Sequence, residues 1–470
     1  MLRLADVIEA LTGIQPEHAS MVISEAVIDS RQVIPGSMFV ALPGERVDGH
    51  EFLESVFKSG GAFALVQKDM SQQVKTIQLN DAPTFNFDDL SQPFCIQVPD
   101  TLKAIQTAAK FWRSKLPLKI IGITGSIGKS TTKELAADLL DRHYRTAKNY
   151  GNLNNEIGLP LSILRLTDGY ERAVLEMGFY LLGEISFLCE IAKPEIGIVT
   201  NIGPVHAERA GSLEVITKGK TELVKALPSH GWAILNIDDP LVKSMANQTK
   251  ARIFFYGLSP EADLWADNIE GLGMDGLRFS LHYQRDVINL KVPLIGKHAI
   301  HTILRSVALA LVEQVSWDDI ITGLQYGRSQ LRMVVVKMKN GVTLLDDSYN
   351  SSPDSALAAL DLLSEMEGNK IAVLGDMLEL GPFEREGHLK VGTRVAETCS
   401  KFIAIGQRSK LMVEAAKAGG MQNNSVEWYT DVPEAIRAMD KFFSAGDVVL
   451  VKGSLGMGMA RIVTAMEKAE

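Results

Sequence analysis

The run Gly122-Ile-Thr-Gly125-Ser126-Ile-Gly128-Lys129-Ser130-Thr131-Thr132 carries the residue types that hold a phosphate chain. Glycines let backbone N–H groups curl around phosphate oxygens, and a following helix start adds a favourable dipole. Lys129 is placed to reach the β- and γ-phosphates, and the Ser130 hydroxyl to meet a Mg²⁺ ion. Gly125, Ser126, Gly128 and Thr131 complete the loop that would cradle the nucleotide. The spacing departs from the common phosphate-loop form, because Gly122 lies one residue too early and Ile123 stands in the usual glycine place.

Two polar positions further on invite a metal. Glu176 ends the apolar run Arg172 to Met177, and His206 ends Thr200-Asn-Ile-Gly-Pro-Val-His206 after another apolar run. Ligands of parallel α/β sheets gather at the carboxyl ends of strands, so a carboxylate and an imidazole there suit Mg²⁺ beside the phosphate loop. Lys218 and Lys220 lie on one helical stretch, where two lysines alone signify only a solvated face.

The elements that must position these groups follow from pattern. Leu118 to Ile123 reads as a buried strand and Lys133 to Leu140 as a helix, the context a phosphate loop requires. The pattern predicts strands at Arg172–Met177, Glu195–Asn201 and Trp232–Ile237 between helices, hence a mainly parallel sheet covered on both faces. Leu264 to Val292 alternates in the manner of antiparallel strands, and residues 298–313 read as a helix. From Val342 onward strands and helices alternate as in a Rossmann-like domain. The fold class is therefore α/β in three domains, at 1–105, 106–328 and 329–470. Residues 68–93 read as an insertion or mobile loop.

Composition narrows the function. A chain of 470 residues, 46% hydrophobic and with a formal charge of −9, is globular and poorly suited to nucleic acid. Cys95, Cys189 and Cys399 form neither a zinc pattern nor a disulfide framework, which suits a reducing cytoplasm. The N-terminal stretch is not a signal peptide, and no run has the length of a membrane span.

The chain resembles the Mur ligases of peptidoglycan synthesis over nearly its whole length. The resemblance rests on Asp29-Ser30-Arg31, Phe39 to Gly44, Asp48-Gly49-His50, the phosphate loop, Asn152 to Pro160, Glu176-Met-Gly178 and Thr200 to His206. It continues through Asp346-Asp347-Ser-Tyr349-Asn350 with Pro353-Asp-Ser355, Gly375 to Gly381, and Val451 to Ser454. The Asp346–Asn350 run is most similar to the branch that joins D-Ala-D-Ala to UDP-MurNAc-tripeptide.

The resemblance implies an ATP-dependent ligase working through an acyl phosphate, in the cytoplasm, as a monomer. It implies Ser30, Arg31, Asp48, Gly49 and His50 at the uridine-nucleotide substrate, with Asn154, Asn155, Tyr349 and Asn350 also at substrate. It implies His298, Thr302, Arg332 and Asp347 around ATP, and two Mg²⁺ ions held by Ser130, Glu176, His206 and Lys220. Lys220 aligns with a lysine that is carbamoylated by CO₂, with Glu222 two residues on, and Lys218 is the rival position.

Some positions depart from the family pattern. Ala299 and Thr302 stand where asparagines are usual, Ile127 replaces a loop asparagine, and Leu455 and Gly458 replace basic residues. A ligase with another acceptor, a nucleotide-binding homologue without catalysis, and a small-molecule phosphotransferase are the competing readings.

Overall fold

The computed structural model describes residues 1–44, 47–204, 208, 211–327, 334–439 and 442–468. Three sheets follow one another along the chain, with five, nine and six strands. Each consists largely of apolar runs buried on both faces, the signature of parallel strands covered by helices.

The first sheet pairs Ala26–Val27, Met38–Val40, Phe63–Val66, Phe94–Gln97 and Thr76–Gln78 in that order, all parallel. Thr76–Gln78 and the 3₁₀ turn Leu79–Thr84 lie inside the stretch expected to be an insertion or mobile loop. That expectation is corrected. The segment has only one short alternation, and Ile77, Ala82 and Phe87 are buried against the sheet despite polar neighbours.

The helix Thr101–Lys115, capped by Asp100, connects the first sheet to the second and spans the expected boundary at residue 105. Its Arg113 side chain is buried and donates to the carbonyls of Ala192, Leu116 and Leu118, tying the helix to the entry of the central sheet. The core packed around this helix is continuous between the two sheets.

The central sheet runs Asp286–Val292, Leu277–Tyr283, Leu264–Gly271, Arg252–Gly257, Trp232–Asn236, Ile196–Val199, Lys119–Thr124, Arg172–Glu176 and Thr146–Lys148. From Leu264–Gly271 onward the strands are parallel, and the first three form the antiparallel ribbon the alternation predicts. Lys119–Thr124 lies between Ile196–Val199 and Arg172–Glu176. Ile123 pairs with Glu176 and Thr124 with Val199, so three strand ends stop at one level.

The third sheet runs Val334–Lys337, Thr343–Asp347, Asp447–Lys452, Asn369–Gly375, Lys401–Ile405 and Val426–Tyr429, parallel except for its first strand. The strand Val426–Tyr429 and the terminal helix Ala460–Lys468 were not expected. Tertiary packing of Val426 and of Ile462, Val463 and Met466 decides both. The expected boundary at 328/329 lies outside the described residues.

Candidate active site

The phosphate loop follows the strand whose Ile120, Ile121 and Ile123 are wholly buried, and it leads into the helix Lys129–Leu140. Two glycines are required by geometry. Gly125 has φ +144°, and a Cβ there would lie 1.8 Å from Thr200 Oγ1. Gly128 has φ +79° as the residue before the helix, and a Cβ would lie 2.4 Å from an Arg305 nitrogen.

The neighbouring strand end braces the loop. Ser126 N donates to Asn201 O and Ile127 N to Asn201 Oδ1, each at 2.9 Å. Thr200 Oγ1 donates to Ile127 O at 2.6 Å, and the Ser126 hydroxyl bonds both the carbonyl and the amide of Gly203. Ser126 is thereby buried.

Lys129 Nζ folds back to Gly125 O at 2.9 Å, and Thr131 lines the same cleft. Ser130 Oγ donates to Glu176 Oε2 at 2.5 Å, and Asn154 Nδ2 to Glu176 Oε1 at 2.9 Å. The Glu176 carboxylate is buried at the end of its strand. Its backbone is fixed by the buried Asn149, whose Oδ1 accepts from Glu176 N and whose Nδ2 donates to Glu176 O. Asn149 and Lys133, which donates to Asn149 O at 2.7 Å, were missed by sequence reasoning. Both are polar side chains with no motif of their own, and their burial comes from contacts distant in sequence.

Lys220 comes from the helix Leu213–Ala226, started by the Ser212 cap. Its side chain is buried, Nζ donates to Gly125 O at 2.9 Å, and the Phe179 ring lies 5.2 Å away. Burial, reinforced by the Lys129 charge, pushes the amine well below the usual lysine range, while Glu176 opposes this. Lys218 instead pairs with Glu214 on the exposed face. Glu222 caps the helix Glu184–Ala192, accepting from Gly183 N and Ser186 N, and does not enter the cleft.

The cleft, of about 780 Å³, lies between the central sheet and the third sheet. His298, Thr302, Asp347, Tyr349 and Asn350 line it together with the phosphate loop. Thr302 is buried and accepts a 2.7 Å bond from Arg305. Asp347 accepts from the buried Lys452 at 2.6 Å, and Lys452 also donates to Asn350 O at 2.7 Å. His301, in the cleft wall, bonds Asp238 at 2.9 Å. Arg305 and Lys452 were not singled out from sequence, because lysine and arginine in apolar runs give no hint of their burial. His206 and Arg332 lie outside the described residues.

The N-terminal positions divide. Ser30 and Arg31 form an exposed turn in which Asp29 accepts from Arg31 Nη2 at 2.7 Å. The Arg31 hydrogen bonds hold the Asp29 carboxyl down to about 2. Asp48 accepts from Lys68 and from His50, which hold it well below the usual carboxylate range. His50, expected at substrate, has both ring nitrogens engaged within the protein. Its ring is buried, Nδ1 bonds Asp48 at 2.5 Å, and Nε2 accepts from Gln67 N at 2.9 Å. Gly49 allows this turn, since a Cβ would lie 2.8 Å from Leu42 N. Asn155 is likewise turned to structure, its Oδ1 accepting from Gly158 N at 2.8 Å at the start of the helix Gly158–Leu164.

Comparison with known proteins accounts for this arrangement. Three family models match in order: the Mur ligase family catalytic domain over residues 22–90, the Mur ligase middle domain over 123–310, and the Mur ligase glutamate ligase domain over 331–455. The UDP-N-acetylmuramoyl-tripeptide–D-alanyl-D-alanine ligase of Bacillus subtilis is 32% identical over 453 residues, covering 95% of this chain and 94% of that one. The Escherichia coli ligase of the same name is 31% identical, covering 99% and 98%. A crystal structure of MurF from Acinetobacter baumannii superposes with a TM-score of 0.82 at 27% identity, covering 99% and 98%. MurF ligase from Thermotoga maritima in complex with ADP gives 0.78 at 25% identity, covering 95% and 97%. The chain, with its three sheets in this order and its braced phosphate loop, belongs to the Mur ligase family.

Proposed function

We propose that this chain is the ligase that joins D-Ala-D-Ala to UDP-MurNAc-tripeptide, with ATP converted to ADP and phosphate. One observation carries the chemistry: Lys129, Ser130, Glu176 and Lys220 converge on a single cleft at the strand ends. Relatives of that activity match over the full chain.

A carboxylate is a poor electrophile, and its activation needs a better leaving group. A terminal carboxylate oxygen of the tripeptide bonds to the γ-phosphorus, and the bond to the β-phosphate oxygen breaks, releasing ADP. Lys129 and the loop amides hold the phosphates in line for this transfer. The dipeptide amine then bonds to the acyl carbon and loses a proton, and the carbon–oxygen bond to phosphate breaks. Closure of the third sheet's domain over the cleft would keep water from the acyl phosphate.

The donor set fits Mg²⁺. Ser130 and Glu176 present hard oxygens 2.5 Å apart at a buried site, the ligand type that ion selects. Mg²⁺ bound there supplies charge neutralisation on the transferring phosphate. Lys220 fits the second ion as a carbamate. Burial, with the Lys129 charge beside it, favours the neutral amine that adds CO₂, and the resulting anion would face a cation that the ammonium would repel. His206 and Arg332 complete the proposed metal and nucleotide sets.

Ser30, Arg31 and Asp48 are proposed at the uridine-nucleotide end, with Tyr349 and Asn350 at the peptide end. Gly49 and His50 are proposed at the same uridine-nucleotide end, and Asn154 and Asn155 also at substrate.

The test is phosphate release with ATP, Mg²⁺, bicarbonate and UDP-MurNAc-tripeptide, with and without D-Ala-D-Ala, and mass analysis of the product. Dipeptide-dependent release of a UDP-MurNAc-pentapeptide, abolished by Lys129→Ala, is expected. A Mur-type ligase with a different acceptor is the second reading. Leu455 favours it, being 55% exposed at the cleft where relatives of this type commonly carry a basic residue. Turnover with another amine and none with D-Ala-D-Ala would decide for that reading.

A further inference from the structure

Arg305 lies one turn beyond Thr302 on the helix Ala299–Val312, with only 5% of its surface exposed, at the wall of the cleft. Its Nε donates to Thr132 Oγ1, and its Nη2 to Thr302 Oγ1 at 2.7 Å and to Gly128 O at 3.4 Å. The Tyr256 hydroxyl is its other electrostatic neighbour. All these acceptors are neutral, and among the described residues no carboxylate pairs with it. An arginine keeps its proton even when buried, so this is a fixed positive charge without a counter-charge.

Its place makes the imbalance greater. The guanidinium lies against the first turn of the helix Lys129–Leu140, where the helix dipole is already positive. Lys129 and Lys220 stand at the same loop. Two other buried cations have carboxylates, Lys133 at 3.4 Å from Glu134 and Lys452 at 2.6 Å from Asp347, while Arg113, outside the cleft, is held by three main-chain carbonyls. A buried cation beside a positive helix end is stable in company with an anion, and the cleft it lines takes a polyphosphate.

We propose that Arg305 is a nucleotide-positioning residue. Its charge is balanced by the phosphates of ATP, and through Gly128 and Thr132 it fixes the loop that cradles them. It also holds Thr302, where the family pattern carries an asparagine, so that nucleotide affinity here rests on phosphate charge more than on contacts to the base. The inference rests on nucleotide binding in this cleft and is independent of which amine is the acceptor.

The experiment measures Mg-ADP binding by calorimetry to the full chain and to Arg305→Met and Arg305→Lys, with thermal unfolding of each without nucleotide. Arg305→Met should weaken Mg-ADP by about tenfold or more, and Arg305→Lys should recover most of that loss. UDP-MurNAc-tripeptide affinity should not change, and nucleotide-free Arg305→Met should melt no lower than the parent. Equal ADP affinity in parent and Arg305→Met would overturn the inference. So would an equal loss in both variants accompanied by a lower melting temperature, which is the mark of a purely structural arginine. A parent that binds no Mg-ADP would overturn the nucleotide reading of the cleft, and the inference with it.

Discussion

Lys129 and Lys220 converge on one acceptor, the carbonyl of Gly125, which receives each amine at 2.9 Å. Two amines on one oxygen repel, and the more deeply buried of them is the one whose proton is loosened. The arrangement divides the two amines: Lys129 lies on the phosphate loop, and burial together with the Lys129 charge pushes Lys220 well below the usual lysine range.

That division has a measurable sign. The folded-state pKa of Lys220 lies below its unfolded value, so between the two the unfolded chain binds more protons and stability rises with pH. Lys220→Met should remove this slope in bicarbonate-free buffer. It should raise the melting temperature near neutral pH by a few degrees and reduce ligase turnover by about 10³-fold or more. Melting curves across pH, beside phosphate release, check this; a variant that melts lower with the slope intact would refute it.

Glu176→Gln keeps the shape of the bridge to Ser130 and Asn154 but removes its charge. Turnover is expected to fall by about 10²–10³-fold, with a higher Mg²⁺ requirement. Ser130→Ala should cost less, because a water can replace one neutral oxygen ligand. A Mg²⁺ titration of phosphate release distinguishes the two, and an unchanged Mg²⁺ midpoint in Glu176→Gln would exclude its role at the metal.

Gly125→Ala meets two obstacles, the positive φ and the 1.8 Å approach to Thr200 Oγ1. Destabilisation of about 1–3 kcal/mol and loss of Mg-ADP binding are expected. Adding Thr200→Ala removes the 1.8 Å contact but leaves the Cβ of residue 200 at 2.9 Å, its backbone N at 3.0 Å and the dihedral strain, so it should restore stability only in part. Urea unfolding of the single and double variants measures the split.

Much of this site was legible because its residues form local patterns. The phosphate loop announces itself by glycine spacing, and Glu176 by standing at the end of an apolar run. Lys220 needed the resemblance, since a helical lysine two residues from Lys218 carries no local sign of which side is buried. Arg305, Lys452 and Asn149 escaped for a related reason. Their burial is created by elements distant in sequence, as where Lys452 meets Asp347 across neighbouring strands. At His50 the polar motif expected at substrate also locks a turn, which its spacing alone does not reveal.

Cys95, Cys189 and Cys399 are buried, and burial pushes each thiol up to about 12. The native protein should resist a thiol reagent at pH 8 and take up three equivalents only on unfolding. Reaction kinetics with and without urea test this, and rapid native labelling would contradict the packing around these residues.

The bracing of Ser126 and Ile127 by Thr200, Asn201 and Gly203 has a mechanical side. A rigid tie between adjacent loops acts as a gear, since neither can shift without turning the other. Beyond Gly203 the same stretch reaches Glu208, whose amide donates to Glu379 O of the third sheet's domain at 3.3 Å. The loop that cradles a nucleotide and a point where the two halves of the cleft touch are thus both set by the segment that leaves one strand end.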